Sequence, residues 1–134
     1  MIRAAALTLM ASIPACQADE TVARYGAADR LWALQTLNGT TFDATATLEF
    51  EAGGAVSGQV SGQAPCNRFN ATNTVPYPWF ELTPIIATRA ACPDLDAETA
   101  YLTALGRMTQ SEVRQDTLFL RNDDGEEMVF TTSD

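Results

Sequence analysis

The chain has no lysine and no histidine; its eight basic residues are all arginine, set against 17 acids for a net charge of −9. Without imidazole there is no Ser-His or Cys-His nucleophile and no histidine metal ligand. Without lysine there is neither a Schiff base nor a P-loop cation. Chemistry run by carboxylates alone stays open, but the default moves away from an enzyme. So large an acidic excess repels phosphate backbones, which makes nucleic acid a poor partner. The same acidity also reads simply as a well-solvated surface. Cysteine is scarce, at three residues, and so is tryptophan, at two. At 134 residues and 46% apolar content, the chain has material for one folded domain.

The N-terminus reads as an address. One charge at Arg3 precedes Ala4-Ala5-Ala6-Leu7-Thr8-Leu9-Met10-Ala11, then Ile13-Pro14-Ala15-Cys16. Charge, short apolar stretch and small residues follow the order of a secretory signal, and the apolar run is too short to span a bilayer. Ile13-Pro14-Ala15-Cys16 resembles a bacterial lipobox, which makes Cys16 the lipidated residue and residues 1–15 a lipoprotein-type signal peptide. By the same resemblance Gln17, in place of Asp, permits sorting to the outer membrane. Cys16-Gln17-Ala18 also fits ordinary cleavage after Ala18, which would give a soluble periplasmic protein. A buried N-terminal helix is the remaining alternative. Residues 16–30 are polar and alanine-rich without clear periodicity, and are expected to be a tether. The domain is then expected over 31–134.

Once Cys16 is processed, Cys66 and Cys92 remain as a pair in an exported domain, which is most simply a disulfide. Closing the loop between them would stabilise the fold by roughly 3.5 kcal/mol in the chain-entropy model. With no histidine the two thiols make a poor zinc set, and they lack the C-x-x-C spacing of a redox motif. Free buried thiols are the alternative.

Leu31–Thr36 reads as a strand ended by the Asn38-Gly39 turn. Residues 44–50 alternate, with Ala46, Leu48 and Phe50 on one face. Gly53-Gly54 turns the chain into 55–60, where Val56, Gly58 and Val60 share a face. Gly58 and Gly62 imply bulges or close backbone approach. Pro76, Pro78 and Pro84 surround Tyr77, Trp79 and Phe80, so this stretch is an edge or an irregular crossing. Beyond Pro93, a helix is expected at about 94–108. Asp94 or Asp96 would cap it, Glu98 sits in its first turn, and Ala97, Ala100, Tyr101, Ala104, Leu105 and Met108 form its apolar stripe. Strands at 111–115, 117–121 and 127–131 form a meander with turns at Asp116 and Asn122–Gly125. The fold class is α+β, mostly β: a curved antiparallel sheet forming a partly open barrel with one packed helix.

In order, Leu31-Trp32, Leu48-Glu49-Phe50, Cys66-Asn67-Arg68-Phe69-Asn70, Thr88-Arg89-Ala90-Ala91-Cys92-Pro93, Tyr101-Leu102-Thr103-Ala104-Leu105 and Asp116-Thr117-Leu118-Phe119-Leu120 resemble the META domain of the HslJ-like family. Pro65 and Ala71 stand where that family usually has glycine. The resemblance spans about 31–131. It implies a small cell-envelope or stress-associated protein with no established catalytic residues.

Each candidate site has a competing structural reading. Asn67, Arg68 and Asn70 are either a ligand-contacting corner or, preferably, turn residues that satisfy backbone groups while Arg68 pairs with a nearby acid. Thr88 and Arg89 present the same choice, and structure is again preferred. Tyr77, Trp79 and Phe80 form either core or an exposed aromatic patch for a partner, and Trp32 is expected in the core. Asp94, Asp96 and Glu98 fit helix-start chemistry better than a paired-carboxylate active site. Asn122–Glu127 fits a hairpin turn better than a calcium loop. No metal and no cofactor are expected. The preferred function is a non-enzymatic envelope lipoprotein, periplasm-facing, stress-associated and bound to the outer or inner membrane through Cys16. It would bind another envelope protein or support envelope integrity. The alternative is a carrier for a lipid or other small apolar ligand, with a pocket between sheet and helix.

Overall fold

The structure is a computed structural model that describes residues 19–52 and 58–133. The expected signal peptide, Cys16, the bond after Ala18, Gly53-Gly54 and Val56 lie outside the described residues.

Among the described residues, nine strands form one antiparallel sheet: β1 (Trp32–Leu37), β2 (Thr40–Thr41), β3 (Thr47–Phe50), β4 (Gln59–Gln63), β5 (Arg68–Thr72), β6 (Ile86–Ala87), β7 (Gln110–Arg114), β8 (Thr117–Arg121) and β9 (Glu127–Thr131). Their spatial order is β6-β5-β4-β3-β1-β9-β8-β7, with β2 hairpinned onto β1. The sheet is curled but not closed, and α1 (Leu95–Arg107) packs against its inner face. The expected mostly-β α+β fold with one helix is therefore what the chain forms.

Period-two burial drives the curl. Leu48 and Phe50, Val60, Phe69 and Ala71, Leu118 and Leu120, and Met128 and Phe130 all point inward. From α1, Tyr101, Ala104 and Leu105 meet them, joined by Met108 just past its end. Ala100 is exposed and Ala97 half-buried, and the buried stripe instead includes Glu98. Burial pushes the Tyr101 phenol well above its ordinary pKa, and its hydroxyl donates to the Thr47 carbonyl at 2.9 Å.

Two glycines allow the tight curvature. At Gly58 (φ +76°) a Cβ would stand 1.8 Å from the Asn73 carbonyl oxygen, and at Gly62 it would stand 2.1 Å from that of Thr47. Both are close backbone approaches, one of the two readings that the sequence left open.

The proline-rich stretch is the irregular crossing that spans the open side of the sheet. The Asn73–Leu82 bridge extends β5, and the Trp79–Gln110 bridge reaches β7 at the opposite edge. Between them Phe80 N–H donates to Thr109 and Ser111 N–H to Pro78.

Three expectations need correction. First, part of the supposed tether belongs to the folded body. Val22, Ala23 and Ala27 are buried in the core, the Trp32 indole N–H donates to the Ala27 carbonyl, and Ala28 bridges to Phe50. These small apolar residues seat by position rather than by periodicity, so no pattern announced them. Second, Asp94 occupies the N-cap of α1 without a side-chain capping bond. Third, β5 begins one residue after Asn67, so Arg68 and Asn70 are strand residues and not part of the tight turn expected there.

Candidate functional site

The Cys66–Cys92 disulfide joins the start of β5 to the entry of α1, with the two Cα atoms 5.6 Å apart. A polar clamp lies directly beneath it. Glu98, only 5% exposed, reaches back from the first turns of α1. Its Oε1 accepts the backbone N–H of Cys66 at 2.9 Å and of Asn67 at 2.7 Å. Its Oε2 accepts the Asn67 side-chain amide at 2.7 Å.

Asn67 is itself buried and fully engaged. Its Oδ1 accepts the Thr88 hydroxyl at 2.8 Å and the Ala90 N–H at 2.7 Å, while Nδ2 also donates to the Ala90 carbonyl at 2.9 Å. Asn67 thus pins the 88–90 segment to β5, and Glu98 pins both to the helix. Both oxygens of the Glu98 carboxylate are thus engaged, by three donors in all. The sequence placed Glu98 in the first turn but gave no sign of these partners, which lie 31 and 32 positions away.

Arg68 and Asn70 leave this corner. Strand alternation turns both to the exposed face of β5, where they line a shallow groove with Gln59, Ser61, Ile86 and Thr88. The aromatic candidates divide in a similar way. Phe80 is core, edge-on to Phe50 at 6.4 Å between centroids. Tyr77 is half-buried and stacks on exposed Tyr25 at 4.6 Å, and Trp79 is 56% exposed. Trp79 rims an open groove of about 440 Å³ with Val75, Pro76, Leu82, Arg107 and Met108. This groove lies between the crossing segment and the C-terminal end of α1, not between sheet and helix where a carrier's pocket is expected. The two polar exposed candidates and Trp79 therefore line separate grooves. Asp123 and Gln110 share a hydrogen bond at 3.2 Å, and Asn122 Oδ1 accepts from Asp124 and Glu126 N–H groups, so the 122–127 segment is built as a turn. Among the described residues, no cluster of three or more potential metal ligands occurs, and no helix is long and apolar enough to cross a membrane.

A curled antiparallel sheet around one helix, with a cysteine-stapled corner joining them, defines a small mostly-β domain of the α+β class. The model of the META domain matches residues 26–134, and the chain belongs to that family. The match begins inside the stretch expected as a tether, in keeping with the burial of Ala27. The chain is similar to a protein from Burkholderia xenovorans solved by NMR, with a TM-score of 0.66 and 22% identity over 96% of this chain and 99% of that one. A second NMR structure has a TM-score of 0.59 and 17% identity, covering 78% of this chain and 90% of the other. Both likenesses concern the fold alone. Among curated proteins no match is found.

Proposed function

We propose that the chain is a non-enzymatic lipoprotein of the cell envelope, anchored through Cys16, whose META domain faces the periplasm and binds another envelope component, sustaining the envelope under stress. The observation that carries this reading is the Cys66–Cys92 disulfide at the junction of strand and helix. Such bonds persist in oxidising compartments and are rare in the cytosol. The leader pattern ending at Ile13-Pro14-Ala15-Cys16 supports the same address. Binding is favoured over catalysis because Glu98, the buried acid of the stapled corner, is committed to the Cys66 and Asn67 amides.

The test is the intact mass of the protein recovered from membranes of the cells that make it. A chain beginning at Cys16 with a diacylglycerol adduct is the expected result. A free amine at Asp19 would reject the anchor and leave a soluble periplasmic protein.

A further inference from the structure

The described chain enters the folded body beside its exposed aromatic residues. The Glu20 carbonyl accepts the Tyr77 N–H at 2.7 Å. Tyr77 stacks on Tyr25, which is 53% exposed, and Trp79 follows two residues later. Pro76 and Pro78 are exposed within the same turn, and Arg24 is exposed beside Tyr25.

Cys16 precedes Glu20 by four residues, a contour of at most about 14 Å when fully extended. A lipid carried on Cys16 would therefore hold the Tyr25–Tyr77–Trp79 face within one short reach of the bilayer. At that range, contact between face and membrane is intramolecular, so even a weak preference is amplified by a high effective concentration. Tryptophan and tyrosine supply that preference, because an apolar ring with a polar edge suits the headgroup level. The Arg24 guanidinium fits lipid phosphate.

We propose that the face formed by Tyr25, Tyr77 and Trp79 is the membrane-resting surface of the protein, seated at the headgroup boundary of the bilayer that holds the anchor. The proposal rests on the lipoprotein reading. It makes the domain a body laid on the membrane in one orientation.

The chain has two tryptophans. Trp32 is fully buried, so Trp79 is the one that lipid can reach. With Cys66 and Cys92 bonded to each other, Cys16 of the processed chain is the sole thiol for coupling to a maleimide lipid. The coupled protein is placed on phosphatidylcholine vesicles with brominated acyl chains, which quench tryptophan at the membrane boundary. Most of the Trp79 emission should be lost, and W79F should retain an unquenched Trp32 signal. Emission unchanged by brominated lipid would overturn the proposal, whether the face is then covered by a second copy, by a small apolar ligand or by nothing. Because chemistry supplies the anchor here, that failure leaves the lipoprotein reading standing. Absence of the adduct in cells removes the lipoprotein reading instead.

Discussion

Glu98→Gln is nearly isosteric, yet it should destabilise the protein measurably. The carboxylate offers acceptors at both oxygens, two backbone amides on Oε1 and the Asn67 side chain on Oε2. The Asn67 amide cannot simply rotate to suit a glutamine, because its Oδ1 already serves Thr88 and Ala90 and its Nδ2 serves the Ala90 carbonyl. The least costly arrangement turns the glutamine NH2 toward Asn67 Nδ2, donor against donor. One charge-assisted bond, worth about 1.5–3 kcal/mol, is lost, and the two remaining bonds fall to neutral strength. Removing a buried charge offsets part of this, which leaves a net loss of about 2–3 kcal/mol. Urea unfolding of the oxidised protein followed by circular dichroism reads the change as a midpoint shift of about 1–2 M at unchanged slope. In a C66S/C92S background the loss should differ from that in the stapled protein, because clamp and disulfide hold one corner. A midpoint that stays within about 0.3 M of the parent would refute the clamp.

Reducing the corner by C66S/C92S should itself cost about 3.5 kcal/mol, measured by the same urea titration. Gly58→Ala should cost about 2–4 kcal/mol, because it combines a left-handed φ with a Cβ 1.8 Å from a backbone oxygen. Gly39→Ala, at φ +79° with open space around it, should cost only about 1 kcal/mol; equal losses at both sites would mean that the close approach at Gly58 is unimportant. The raised Tyr101 pKa predicts a specific alkaline limb. Its contribution is complete below the unfolded phenol value near 10 and is lost as pH rises beyond it, because the unfolded chain ionises first. Tyr101→Phe should lower stability at neutral pH by about 1 kcal/mol through the lost Thr47 bond, but flatten that limb. A parent and variant that decline in parallel above pH 10 would contradict the assignment.

The strongly patterned elements were legible in the sequence. Residues 117–121 and 127–131 alternate and form strands with those bounds, and the Asn38-Gly39 turn closes a hairpin with both residues at positive φ. The helix was legible too, because its stripe repeats at 3.6 residues. Seating of small residues was not, as with Val22, Ala23 and Ala27, whose burial depends on the shape of the sheet above them. Nor was the bonding of Glu98, since a first-turn acid satisfies helix-dipole reasoning whether or not a distant strand supplies its donors. Asn67 and Arg68 are adjacent in sequence, yet alternation sends one into the clamp and the other to solvent. Reading them as one corner merged two environments that β5 separates.

The account depends above all on a domain that lives outside the reducing cytosol with its strand-to-helix junction covalently closed. Intact cells treated with a membrane-permeant thiol-alkylating reagent, then denatured and examined by peptide mass, test this directly. The account predicts Cys66 and Cys92 recovered unlabelled in one linked peptide pair. Both cysteines carrying the label would place the protein in a reducing compartment and contradict it.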